Sequence, residues 1–203
     1  MRRTGRGRAA RALRAGAAVG AVVVGTLTAA GRTAAAQTSW AGVLSGAQQV
    51  PVNTTSASGF TLLTLSGNLL AVTLSWTGLT GGSLAAAHIH CCILPGGNAN
   101  VAVGFTGIPN AASGTYSNTF DLTNASIYTS AFLTASGGTA AGAEAALIAG
   151  LNAGQAYVNV HDATYPGGEI RANVVTTPEP TTFALAALGV GGAGLLARRR
   201  ARG

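Results

Sequence analysis

Two of the three histidines and both cysteines of the chain lie within five residues, from His88 to Cys92. The remaining histidine, His161, ends an apolar segment that begins at Tyr157. Successive side chains of an extended strand alternate between its two faces, so His88 and His90 share a face, and Cys92 joins them if the strand continues. Imidazole and thiolate are ligands for zinc and copper in proteins. The spacing therefore predicts one metal site, built from His88, His90 and His161 and binding copper or zinc.

A structural role for the same histidines is the alternative. Neutral, hydrogen-bonded histidines often close a polar patch, here beside Glu169 and Arg171. Because Glu169 and Arg171 are two positions apart on one strand face, we expect an ion pair between them. If a metal binds instead, Asp162 or Glu169 is expected to orient a ligand ring. Metal affinity is then expected to weaken as the pH falls through about 6.5, the ordinary histidine pKa.

Catalysis finds no support in the sequence. No serine or cysteine nucleophile stands in a recognisable elbow beside a histidine. The acidic residues are too few to indicate a paired-carboxylate hydrolase. We therefore predict that the protein is not an enzyme and that it has no catalytic residues.

The charge distribution excludes a nucleic-acid partner. The chain has a formal net charge of +7, but its arginines crowd at the two ends. Residues 37–177 hold one basic residue, Arg171, against four acids, which leaves this segment at −3. The four acids are Asp121, Glu144, Asp162 and Glu169. A nucleic-acid partner needs a basic face to neutralise phosphates, and this segment is acidic instead.

The N-terminal segment has the three parts of a secretory signal peptide. Residues 1–14 are rich in arginine, and residues 15–30 are apolar and rich in Ala, Val and Gly. Small residues then lead up to Ala36. We expect cleavage between Ala36 and Gln37, so that residues 1–36 are removed during export.

The C-terminal segment, residues 178–203, opens with Pro178, Glu179 and Pro180. A mainly apolar run over 181–197 follows, which is at the lower limit for spanning a bilayer, and arginines at 198–200 would stay cytoplasmic. This order of features resembles the PEP-CTERM sorting signal. The resemblance implies export across the inner membrane, a transient C-terminal anchor, and release by an exosortase-type enzyme to the cell surface or an extracellular matrix.

The two cysteines are adjacent, and the chain has no third. An exported protein meets an oxidising compartment, yet neighbouring Cα atoms across a trans peptide are about 3.8 Å apart, below the usual disulfide range. The choices are a vicinal disulfide between Cys91 and Cys92 with a distorted peptide, an intermolecular bridge, or thiols that ligate metal. We place the vicinal disulfide first, as a rigid turn that ends the His88 strand.

Residues 37–177 have the pattern of one antiparallel all-β domain, with short runs of Thr, Val and Leu between turn residues. The Gly67-Asn68 pair predicts a tight hairpin turn. One short helix is predicted near 139–152, where an Ala-rich run begins after Thr139 and ends before Gly154. The predicted strands are Trp40–Leu44, Phe60–Leu65, Leu70–Trp76, the strand through His88, Val101–Phe105, Gly114–Leu122, Ile127–Leu133, Ala156–His161 and Glu169–Val175.

Several motifs make this domain similar to the CHRD family. They are Leu44–Pro51 (LSGAQQVP), Ala87–His90 (AHIH), Tyr157–His161 (YVNVH) and Pro166–Arg171 (PGGEIR). The resemblance covers about residues 40–175 and implies an immunoglobulin-like or superoxide-dismutase-like antiparallel β-sandwich with no firmly assigned activity. The His-x-His strand resembles the copper strand of copper/zinc superoxide dismutases, but those enzymes need more imidazoles than His88, His90 and His161. Dismutase activity is therefore not expected.

Two function classes remain for residues 37–177. The first is a non-enzymatic cell-surface or matrix β-sandwich that binds an extracellular polysaccharide or another surface protein. The second is a small copper- or zinc-binding, redox-related protein that uses the three histidines. In both, the export machinery and an exosortase-type sorting enzyme are expected partners.

Overall fold

A computed structural model describes residues 37–178. The predicted signal peptide with Ala36, the residues Glu179 and Pro180, and the rest of the predicted sorting tail lie outside the described residues. Gln37 and Pro178 are its first and last described positions.

Antiparallel strands dominate this region and confirm the predicted all-β class. These strands form from short runs in which apolar and polar residues alternate, because one face of a strand can be buried while the other is exposed to solvent. The strands are β1 Gln37–Ser45, β2 Ser58–Ser66, β3 Leu69–Thr77, β4 Leu84–Cys91, β5 Val101–Gly104, β6 Gly114–Asp121, β7 Ala156–Asp162, β8 Ile170–Asn173 and β9 Val175–Thr177. Their order is β5-β4-β7-β8-β1-β2-β3-β6, with β9 paired to β1.

The sheet curls over a single apolar core. Strands β1 and β8 pair only at Ser45 and Arg171, so the sheet divides there into two halves. Buried residues of both halves belong to one cluster, in which Trp40 and Leu63 lie on one side and Ile89 and Val158 on the other. Two layers that close on one core make the β-sandwich arrangement that the sequence predicts.

Two α-helices and two 3₁₀ turns interrupt the strands of the described region. Helix α2, Ala140–Asn152, confirms the predicted helix, and the Thr139 hydroxyl caps it by accepting a hydrogen bond from the Gly142 amide. Its buried side chains, Ala143, Leu147 and Leu151, join the core. The 3₁₀ turns are Gly46–Gln48 and Ala125–Ile127.

The predicted strand Ile127–Leu133 is wrong. Helix α1, Ser130–Ala135, occupies most of it, and the Thr129 hydroxyl caps this helix at the Phe132 amide. Local capping therefore outweighs the alternation of residue types along this segment. The predicted Glu169–Val175 strand is also split, because β8 ends at Asn173 and β9 begins at Val175.

The Gly67-Asn68 turn is confirmed. Ser66 pairs with Leu69 across the β2–β3 hairpin, which leaves a two-residue connection. Gly67 has φ of 57°, a left-handed conformation that glycine adopts without steric cost.

Candidate metal centre

Strands β4 and β7 bring the three histidines together. Their antiparallel register pairs His88 with Asn159, His90 with Tyr157, and Ala86 with His161. The side chains of His88, His90 and His161 therefore lie on one face of these strands. The opposite face carries apolar residues that enter the core, namely Ala87, Ile89, Val158 and Val160.

One ring nitrogen from each histidine lies within 4.8 Å of those of the other two. The ring centres are 5.7 Å apart for His88 and His90, 5.1 Å for His88 and His161, and 6.2 Å for His90 and His161. Zinc–nitrogen bonds of about 2.0–2.1 Å hold ligand nitrogens closer together than this limit, so a bound ion would draw the rings inward by small side-chain rotations. The three histidines can thus hold one metal ion.

Backbone carbonyls orient two of the three rings. The Nδ1 atom of His90 lies 2.9 Å from the carbonyl oxygen of Ala99, and that of His161 lies 2.9 Å from the carbonyl oxygen of Pro166. Since a carbonyl can only accept, both Nδ1 atoms carry the proton in the neutral ring, and each Nε2 keeps a free lone pair. The carbonyl groups of Ala99 and Pro166, and not Asp162 or Glu169, therefore orient the rings of His90 and His161.

Three ring nitrogens in this cluster are buried without a hydrogen-bond partner among the described residues. They are Nδ1 of His88, Nε2 of His90 and Nε2 of His161. Buried polar atoms are nearly always hydrogen-bonded in folded proteins, and leaving one unpaired costs about 1–3 kcal/mol. Three such atoms in one cluster could serve as ligands of one metal ion.

Burial disfavours the charged form of all three rings. It lowers the pKa of His88 to about 4, with the charges of His161 and His90 acting in the same direction. It also lowers the pKa of His90 to about 4; the bond to Ala99 opposes this change, and His161 and Arg171 add to it. Burial lowers the pKa of His161 as well, against the bond to Pro166. Neutral imidazole is the form that binds a metal.

Polar residues that the sequence analysis did not assign to the site form its surroundings. The Gln49 side-chain amide donates to the Asn159 side-chain oxygen at 2.6 Å, and both residues are buried. Gln48 accepts hydrogen bonds from the Asn173 backbone and side chain. The LSGAQQVP motif thus fastens the 3₁₀ turn after β1 onto β7 and β8. The signal was present in the sequence, since Asn159 shares a strand face with His161.

The expected ion pair between Glu169 and Arg171 is wrong. The Arg171 guanidinium donates to the Asn173 side chain at 3.0 and 3.2 Å and to the Gly97 carbonyl at 2.9 Å. Glu169 instead accepts from the Thr55 hydroxyl at 2.5 Å and the Thr80 hydroxyl at 2.6 Å. Glu169 lies just before β8 and bonds to loop residues, whereas Arg171 bonds to Asn173 of its own strand and to a loop carbonyl.

Cys91 and Cys92 lie away from the histidines. Strand β4 ends at Cys91, so Cys92 does not rejoin the histidine face as the continued alternation would require. The two sulfur atoms are bonded to each other, with Cα atoms 3.2 Å apart across a cis peptide. They face α2, where a Cβ atom on Gly150 would collide with both.

The vicinal disulfide predicts that the protein has no reactive thiol. We expect alkylation of the unreduced, denatured protein to leave its intact mass unchanged, and alkylation after reduction to add two labels. The protein should run as a monomer on a gel without reductant. Two alkyl labels on the unreduced protein would show that both thiols are free. A dimer that becomes a monomer when reductant is added would show an intermolecular disulfide.

The family comparison agrees with this architecture. The model of the CHRD domain matches residues 40–174, which include the three histidines and the motifs around them. The chain belongs to the CHRD family. Comparisons with curated proteins and with solved structures return no match.

A second family model, the PEP-CTERM protein-sorting motif, matches residues 176–200. This CHRD protein is therefore exported and sorted by exosortase-type machinery, with a transient C-terminal anchor that precedes its arrival at the cell surface. Within residues 37–178, no helix is long and apolar enough to cross a membrane. Neither the CHRD domain nor the sorting motif is known as an enzyme family.

Proposed function

We propose that the protein is a non-enzymatic surface protein whose CHRD domain binds one copper or zinc ion through His88, His90 and His161. The observation that supports this most is the set of three buried ring nitrogens that find no hydrogen-bond partner among residues 37–178. Histidines with a purely structural role would be expected to use both ring nitrogens in hydrogen bonds. Here the hydrogen bonds lie on the far side of two rings, at Ala99 and Pro166, which is the usual arrangement of metal-ligating histidines.

The choice of copper or zinc follows from the type of ligand. A set of imidazoles without thiolate suits zinc and copper better than the oxygen-preferring ions calcium and magnesium. The lowered pKa of His88 and His90, about 4 for each, also leaves both rings ready for a metal at neutral pH. Three protein ligands leave a fourth position free in a tetrahedral centre.

The location of the protein belongs to the same proposal. Removal of residues 1–36 and release near Pro178 by the sorting enzyme would leave residues 37–177 as the mature domain at the cell surface or in an extracellular matrix. Binding to an extracellular polysaccharide or another surface protein stays a prediction.

Native material tests this function directly. We expect the protein purified from its own envelope to contain one copper or zinc ion per chain by elemental analysis, and its intact mass to lack the C-terminal arginines. After metal removal, calorimetric titration at pH 7.5 should restore one ion per chain. If neither copper nor zinc is taken up in that titration, the histidines are structural and the metal-binding function is wrong.

A further inference from the structure

Arg171 is a buried cation whose hydrogen-bond partners are all neutral. It is 1% exposed and is the only basic residue between positions 37 and 178. Its donors reach the side chains of Asn173 and Asn98 and the carbonyl of Gly97. Within residues 37–178, no carboxylate hydrogen-bonds to it. An uncompensated buried charge is expensive, so a specific use for the positive charge is expected here.

The Arg171 guanidinium stacks on Tyr157, which in turn stacks on His90 of the metal centre. Its carbon lies 3.4 Å from the centre of the Tyr157 ring. The Tyr157 ring in turn lies 4.6 Å from the His90 ring at an interplanar angle of 4°. Guanidinium, phenol and imidazole therefore form a continuous stack that ends on a ligand ring.

No carboxylate balances the charge of Arg171 at the histidines. Within residues 37–178, the ring nitrogens of the three histidines either bond to backbone carbonyls or are left without a partner, and none of them bonds to a carboxylate. Asp162 is held by the amides of Gly81 and Tyr165, and Glu169 by Thr55 and Thr80.

A bound ion would keep its whole charge at this centre, because three neutral imidazoles supply no negative charge. A cation held nearby in a low-dielectric surrounding disfavours a divalent ion more than a monovalent one. We propose that the three-histidine centre is selective for monovalent copper, and that Arg171, stacked on Tyr157, disfavours Cu(II) and Zn(II) there. This proposal rests on the proposed function that the three histidines bind a metal.

Separate affinities for Cu(I), Cu(II) and Zn(II) test the proposal on the mature protein. Cu(I) is measured without oxygen against a chromophoric chelator, and the divalent ions are measured by calorimetry at the same pH. The wild-type protein is expected to bind Cu(I) more tightly than either divalent ion. Equal or tighter binding of Cu(II) and Zn(II) would overturn the proposal while leaving the metal-binding function intact. A protein that binds none of the three ions would instead remove the proposed function itself.

Two substitutions separate charge from packing. Arg171→Gln keeps a hydrogen-bonding side chain without the charge, and Arg171→Lys keeps the charge. In Arg171→Gln the preference for Cu(I) over Cu(II) should fall roughly tenfold, which lowers the copper reduction potential by about 59 mV. Arg171→Lys should retain most of the preference. If Arg171→Gln lowers the affinities for Cu(I), Cu(II) and Zn(II) by the same factor, Arg171 is structural and the proposal is wrong. Should Arg171→Gln fail to fold, the affinity of the wild-type protein for Cu(I) relative to Cu(II) and Zn(II) still tests the proposal.

Discussion

Replacing His90 with alanine is expected to abolish stoichiometric metal binding. His90 supplies a buried Nε2 atom with a free lone pair, and its Nδ1 is already fixed by Ala99. Changes in the groups that only orient a ligand typically cost 10–100-fold in metal affinity. Loss of a ligand itself should therefore weaken binding by more than about 100-fold. Calorimetric titration of wild type and variant at pH 7.5 measures the difference.

The control for this variant is Asn159→Ala. Asn159 lies on the same strand face and pairs with His88, but it bonds to Gln49 and Gly167 rather than offering a ring nitrogen. Its removal should lower the free energy of unfolding by about 1–3 kcal/mol, because Gln49 loses its partner, while the metal affinity changes less than tenfold. If His90→Ala binds as well as wild type, or if Asn159→Ala loses as much affinity as His90→Ala, the three histidines do not form the metal centre.

The sequence was sufficient to predict the histidine face. Strand alternation places His88 and His90 together, and the same rule puts Val158 and Val160 of β7 into the core, as the structure shows. The cross-strand register could not be predicted, because a slip by one residue reverses every side chain and only the packed core fixes it. That register, with His88 opposite Asn159, decides that His161 meets the other two rings.

Contacts with loops that are distant in the sequence account for the wrong ion pair. Glu169 precedes β8 and Arg171 lies within it, and the loops that carry Thr55, Thr80 and Asn98 provide partners that the strand pattern does not show. Nothing local to β8 encodes which loop folds over it. The strand predicted over 127–133 is wrong for a different reason. Thr129 caps helix α1, so the alternation of apolar and polar residues in this segment does not reflect a strand. Pattern rules therefore located the three histidines but missed the residues that form hydrogen bonds around them.

Acid should destabilise the metal-free protein well before its carboxylates are protonated. The pKa of His88 and of His90 is about 4 in the folded state and about 6.5 when unfolded. Between these values the unfolded chain binds more protons, so stability is complete above pH 6.5 and is lost as the pH falls toward 4. Allowing for the partial exposure of the rings, we expect the free energy of unfolding to fall by roughly 2 kcal/mol between pH 7 and pH 5.

The same pKa values would set the acid limit of the proposed metal binding. Because the folded, metal-free protein keeps His88 and His90 neutral down to about pH 5, affinity should persist below 6.5 and decline only toward 4. Urea unfolding of the metal-free protein and metal titration, each at pH 7, 6 and 5, measure both effects. His88→Gln is the matched variant, since it removes one titrating ring and should show a smaller loss of stability on acidification. A free energy of unfolding that is equal at pH 7 and pH 5, or an affinity that already falls steeply from pH 6.5, would mean that the rings are solvated and titrate like free histidine.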